Sequence, residues 1–174
     1  PINSGDSRLL NAVARNGKVW AAHNVGAGCF VHDTCGSVLP FTRNEVAWYE
    51  IDPASIGAFP GGTPIQQGRV ADPGIHFYYP SIAVNEDECV ALGFSGSDES
   101  IFVGAWYATR AAADPLGAIR APFQFQAGLG PYLDRDGTSR NRWGDYSAMT
   151  IDPLDDATFW TVQEYARPQV GAAD

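Results

Sequence analysis

The stretch Arg142-Trp143-Gly144-Asp145-Tyr146-Ser147-Ala148-Met149-Thr150-Ile151-Asp152-Pro153, followed by Thr158-Phe159-Trp160-Thr161-Val162-Gln163-Glu164-Tyr165, reads as two short strands and a tight turn. Met149 and Ile151 alternate with Ala148 and Thr150, the period of two expected of a strand with unlike faces. The turn runs over residues 152–156, where Pro153 fixes φ and the acids bond back to their own backbone. The second strand is β-branched and aromatic, residue types that suit a pleated, half-buried surface.

The same unit occurs twice upstream. Tyr79-Pro80-Ser81-Ile82-Ala83-Val84 turns at residues 85–88 into Cys89-Val90-Ala91-Leu92-Gly93-Phe94-Ser95. Leu10-Asn11-Ala12-Val13-Ala14 turns at Arg15-Asn16-Gly17 into Val19-Trp20-Ala21-Ala22-His23-Asn24. Val13, Ile82 and Met149 align, giving steps of 69 residues (13 to 82) and 67 (82 to 149). A self-similar all-β unit of that period points to an array of blades.

Further landmarks extend the match. Residues 45–51 read as a third strand and 65–70 as a fourth; residues 101–108 and 122–128 are their counterparts. Ala47-Trp48-Tyr49 aligns with Ala105-Trp106-Tyr107, Asp52-Pro53 with Asp114-Pro115, and Gly68 with Gly128. Residues 1–8 are a polar entry segment, and residues 108–113 are the one short stretch with helical character. The expected architecture is one all-β domain over 1–174. It is built of antiparallel four-stranded β-propeller blades at 8–70 and 77–128, with a partial third at 142–166. Blades bury their faces against neighbours, so two and a half should not stand alone. The chain is therefore expected to be a piece of a longer propeller, or to have its ring completed by another chain.

Composition narrows the function classes. The chain has 174 residues, 45% hydrophobic and 18% charged, enough to bury a core. Nineteen Gly and twelve Pro supply the frequent turns of a short-stranded fold. A net charge of −9 argues against a nucleic-acid surface, because phosphates require clustered Lys and Arg. No apolar run approaches the ~20 residues that span a bilayer. The first residue is Pro1, so a mature or cut chain is expected and an absent signal peptide says little. Cys29 and Cys35 lie six apart in a Gly-rich loop and suit a small disulfide, while Cys89 is expected as a buried free thiol. An extracellular or cell-surface location is favoured.

The pieces at residues 79–85, 90–97 and 142–165 resemble blades of sialidase-like (BNR-type) β-propellers. More narrowly, they resemble secreted bacterial proteins whose blades read YPSIAVN, VALGFSGS and RWGDYSAMTIDP. The resemblance covers about residues 8–166 and implies blade architecture more than activity. A sialidase would need an arginine triad, a Tyr/Glu nucleophile pair and an Asp acid/base spread over several blades. Residues 134–139 only echo the Asp-box of such blades, and away from its usual hairpin position.

In a propeller the first strand of each blade lines the channel, and ligands meet the loops that lead into it. This places His76-Phe77-Tyr78-Tyr79 and residues 142–146 near the channel mouth. The entry loop from Gly128 to Tyr146 spans 18 positions, against 11 from Gly68 to Tyr79, and residues 131–142 form the insertion. Tyr78, Tyr79, Trp143 and Tyr146 are expected to stack on a sugar or apolar group, with Arg140 and Arg142 gripping a carboxylate and Asp145 accepting a hydrogen bond. Packing between blades, with Arg142 paired to Asp145 or Glu164, is the competing account. Asp145 and Glu164, with Arg142, are the catalytic candidates, since two carboxylates can serve glycoside hydrolysis. Asp134 and Asp136, with Thr138 and Ser139, are the candidate calcium loop, although Asp-Gly is also an ordinary turn. Residues 152, 155 and 156 are expected as a solvated hairpin tip. His23, His32 and His76 lack zinc-ligand spacing, nothing places a His or Asp beside Cys29 to activate its thiol, and no phosphate loop follows a strand.

The expected function is a secreted or surface propeller segment that binds a glycan or protein partner without turning it over. A glycoside hydrolase or lyase fragment and a purely structural assembly module are the alternatives.

Overall fold

The computed structural model describes residues 2–5, 7–27, 43–56, 64–134, 137, 141–144 and 146–168. The expectations placed on Cys29, His32, Cys35, Asp136, Thr138, Ser139, Arg140 and Asp145 lie outside the described residues. The described chain is all-β apart from one 3-10 turn at Pro53–Ile56. None of its helices is long and apolar enough to cross a membrane.

In chain order the strands are β1 (Ile2–Asn3), β2 (Leu9–Arg15), β3 (Lys18–Ala27), β4 (Arg43–Ile51), β5 (Gln66–Val70) and β6 (His76–Val84). They continue with β7 (Val90–Ser97), β8 (Gly104–Arg110), β9 (Phe123–Gln126), β10 (Asn141–Arg142), β11 (Ala148–Ile151) and β12 (Phe159–Val162). Two antiparallel four-stranded sheets form in sequence order, β2-β3-β4-β5 and β6-β7-β8-β9, with a two-stranded sheet β11-β12. The entry segment is more than a lead-in. Its β1 pairs in parallel with β10, Ile2 opposite Asn141 and Asn3 opposite Arg142. Residues 108–113 are not helical: they are the end of β8 and a turn in which Ala111 O accepts from the Asp114 N–H at 3.0 Å.

The sheets stack by their faces, and small differences in turn length decide which faces meet. Arg15 opposes Lys18 around Asn16-Gly17, both at positive φ (50° and 75°), the two-residue turn that matches strand twist. The other hairpins close with longer turns, Val84 opposite Val90 and Ile151 opposite Phe159. From the first sheet Trp20, Ala22, Val46, Trp48 and Val70 enter one core with Ile82, Leu92, Phe94 and Trp106 of the second. Trp20 and Trp48 stack there at 6.4 Å. The opposite face of the second sheet meets the third. Ser81 and Ser147 hydroxyls lie 2.6 Å apart, and the Thr161 hydroxyl lies over Gly93.

This corrects the repeat alignment. Val13 packs against the same core as Ile82, and Trp48 shares it with Trp106. The aligned residues therefore face one another across a single interface instead of filling successive ones. A slip of one residue in a structure of period two reverses every side chain. The step from Ile82 to Met149 holds: Met149 opposes Thr161 and faces back onto the second sheet, as Ile82 faces the first. The match of Gly68 to Gly128 fails as well. Trp48 opposes Gly68, but Trp106 opposes Gln124, and the register shifts between Ala105 and Trp106. Gly128 lies beyond β9, against the backbone of Phe102 and Val103. Cys89 is free and half-buried, where burial was expected.

Candidate functional site

A cleft of about 720 Å³ opens where the β7–β8 connection, the start of β6 and the inserted residues 131–133 meet. One lip is the turn at residues 98–101. Asp98 Oδ1 accepts from Ser100 N (2.5 Å), Ser100 Oγ (2.9 Å) and Ile101 N (2.7 Å). The Ser100 backbone bond, more than the others, holds the Asp98 carboxyl below its ordinary range, and nearby His76 adds to this. Glu99 and the exposed Phe102 lie on the same lip.

The inserted loop makes the opposite lip. Asn141 ties it down through both amide atoms. Its Nδ2 donates to Tyr132 O at 2.8 Å, and its Oδ1 accepts from Asp134 N at 2.8 Å. The Tyr132 ring stands edge-on to Trp143, with centroids 4.7 Å apart. Desolvation, then the hydrogen bond to Asp134 at 3.2 Å, raises the Tyr132 phenol pKa, and Glu164 contributes. Tyr132 and its neighbours also wall a second cleft of about 570 Å³, lined by Trp143, Glu164, Tyr165 and Arg167.

The floor is polar at depth. Tyr78 is 1% exposed and its hydroxyl lies 2.8 Å from Ser97 Oγ. Burial pushes the Tyr78 phenol far above its ordinary value, so it stays neutral. His76 Nδ1 accepts from the Asn44 N–H at 3.3 Å, which places the proton of a neutral ring on Nε2.

The expected stacking set is divided by this geometry. Trp143 and Tyr79 are 4% and 5% exposed and join Tyr78, Val103 and Ala166 in a second core, so none of the three offers an open ring face. Trp143 donates Nε1 to Ser95 Oγ at 3.0 Å. Tyr79 sits at a bulge with φ 52°, and its N–H donates to Asn24 Oδ1 at 2.7 Å. The Trp143 ring can pack at the sheet end because its indole N–H finds a partner there. Tyr146 alone of the set is open, at 82% exposed. Arg142 is exposed, and its backbone N–H donates to Asp134 O at 3.0 Å. The Glu164 carboxylate lies over Gly144, where any side chain would collide with it. Asp134 is drawn into the tie with Asn141 and Tyr132. Among the described residues no three His, Cys, Asp or Glu side chains gather as a metal site.

The residues that shape the larger cleft were mostly not singled out from the sequence. Asp98-Glu99-Ser100 does carry a signal, an Asp whose side chain can cap the amide two residues on. Asn44 carries none, since its partners His76 and Ser4 are distant in sequence, whereas Asn141 lies inside the insertion and closes it onto Tyr132 and Asp134. No family model, no characterised protein and no solved structure matches the chain.

Proposed function

We propose that this chain is part of a secreted or surface-associated, sialidase-like β-propeller that binds a glycan or protein partner without turning it over. The observation that carries the reading is the 720 Å³ cleft with its mixed lining: aromatic and apolar groups at Tyr132, Phe102 and Leu133, and polar groups at Asn44, His76 and Ser97. Small-molecule sites combine an apolar wall with a few fixed polar groups in this way. The cleft lies beside both the β7–β8 connection and the long entry loop, the side on which propeller ligands are expected. A glycan is favoured over a protein partner because Tyr132 and Phe102 border a concave cleft and not a flat patch.

The blade reading draws support from how the sheets stack. The first sheet packs on one face of the second, and the third packs on the other. Among the described residues the third sheet has two strands, and Tyr107, Phe123 and Phe125 form an aromatic shelf beside it, Phe123 being 57% exposed. Further strands, added beside β12, would cover that shelf and complete the third blade.

The test is calorimetric titration of the chain with a panel of short oligosaccharides, with product analysis of each mixture. Binding with no product, lost in Tyr132→Ala while the fold is kept, is the expected result. Cleavage of any sugar would favour the hydrolase alternative. Absence of binding across the panel would end the glycan reading.

A further inference from the structure

We infer that the larger cleft selects an amine-bearing oligosaccharide, of the glucosamine type, over neutral and acidic ones. The inference rests on the reading that this cleft binds a glycan. Two carboxylates, Asp98 and Glu99, stand on its lip, and no Lys or Arg is among the described residues that line it. Asp98 is fixed by three donors on a single oxygen, Oδ1. Its charge is therefore held in place by the turn, and its second oxygen is not used by those bonds.

The rings across the cleft point to the same chemistry. Phe102 is 47% exposed on the acidic lip, and Tyr132 faces the cleft from the inserted loop, braced edge-on by Trp143. An aromatic face attracts both the C–H face of a sugar ring and an ammonium group within about 6 Å. A protonated amino sugar satisfies ring and carboxylate together. An acidic sugar would meet Asp98 and Glu99 with no Lys or Arg among the described lining residues to balance its charge. Arg43, near His76 and Asn44 in the fold, is engaged elsewhere: Nε and Nη2 donate to Glu45 at 3.2 and 2.9 Å, and Nη1 to Pro73 O at 3.4 Å.

The experiment titrates the whole chain with three probes: a glucosamine tetramer, an N-acetylglucosamine tetramer and a tetragalacturonate. The glucosamine probe should bind about tenfold tighter than the N-acetyl probe, a difference of one decade in Kd. Raising the salt should shrink that gap, since exposed charge pairs are screened. The double variant D98N/E99Q keeps the acceptor oxygen of the turn and should bring the two affinities level. Equal affinity of the native chain for glucosamine and N-acetyl probes overturns the charge selection while leaving the glycan reading intact. Tighter binding of tetragalacturonate also overturns it. If none of the three binds, the glycan reading fails and this inference with it. A lysine-rich peptide that displaces the sugar through Glu99 would assign the cleft to a protein partner, and overturn the inference in favour of that occupant.

Discussion

The Arg110 guanidinium carbon sits 6.0 Å from the centre of the Trp48 ring, across the interface between the two four-stranded sheets. Arg110 is 3% exposed, and its Nη1 and Nη2 donate to the carbonyls of Ala111 (3.1 Å) and Asp114 (2.9 Å). The charge is therefore shared between two carbonyl dipoles and an aromatic face. Arg110→Ala would take its donor from Asp114 O and one of two donors from Ala111 O, which keeps the Asp114 N–H, and would expose the ring to a void. The expected loss is about 2–4 kcal/mol, combining a buried cation–π contact, a lost hydrogen bond and a carbonyl left without its donor. Urea unfolding measures it. Repeating the change in a Trp48→Leu background should reveal a coupling of about 1 kcal/mol, and strict additivity would remove the ring from the account.

Lys18 joins the same two sheets from the turn end. Its Nζ lies 2.7 Å from Glu50 of the first sheet and 2.9 Å from both oxygens of Glu88 in the turn between β6 and β7 of the second. The Glu50 side chain is 3% exposed, with Gln66 as its other partner. Lys18→Met would leave that carboxylate buried without a cation, at a cost of about 3 kcal/mol. Adding Glu50→Gln should recover part of the loss, because the stranded charge is gone. The hydrogen bonds to Glu50, then Glu88, raise the Lys18 pKa. The ammonium is thus favoured in the folded state. Its contribution is complete below the unfolded value of about 10.4 and is lost as pH rises through the folded one. The stability gap between native and Lys18→Met chains should accordingly narrow only above about pH 10.4. A gap that closes on the acid side of that window, while both glutamates stay ionised, would contradict this pairing.

Gly68 is required by close approach. A Cβ there would lie 2.4 Å from Gly117 O and 2.6 Å from Trp48 Nε1. Neither group can yield cheaply, one being backbone of the second sheet's outer loop and the other a ring that is fully buried. Gly68→Ala should therefore cost about 1–3 kcal/mol by overpacking, although alanine has the better strand entropy. Thermal unfolding decides it, and an unchanged or higher Tm would mean the two sheets slide apart at no cost.

Strand positions were legible in the sequence because alternation and turn residues are local. Asn16-Gly17 announced its own hairpin, and β2, β3, β6 and β7 fell where the periodicity placed them. Facing was not legible. Val13 and Ile82 align by pattern, yet the two-residue turn after Arg15 and the longer one after Val84 set opposite sides of their hairpins towards the shared core. The cleft was legible in part: the strand entry placed His76 and Tyr78 at its mouth, and the surplus in residues 131–142 marked the loop that carries Tyr132. Asp98 and Asn141 act through turns and ties that form after folding. An aromatic residue at a strand entrance reads alike whether it rims a site or fills a core, so the sequence left Tyr78 and Trp143 open between the two, and both rings are buried.

That ambiguity gives the sharpest contrast between paired substitutions. Trp143 is 4% exposed, edge-on to Tyr132 and bonded to Ser95, whereas Tyr146, three residues on, is 82% exposed. Trp143→Ala removes a buried indole and leaves the Ser95 hydroxyl without its donor, so a loss of about 3–5 kcal/mol is expected. Its effect on ligand binding should follow indirectly, through a Tyr132 ring that has lost its brace. Tyr146→Ala should change stability by no more than about 0.5 kcal/mol, as for a surface position away from special contacts. Measured together by urea unfolding and by titration, the pair separates core from rim. If Trp143→Ala unfolds at the native midpoint yet loses its ligand, the indole belongs to the binding surface and the second core described for it is wrong. If Tyr146→Ala alone weakens binding with the fold unchanged, the ligand extends beyond the larger cleft towards the third hairpin.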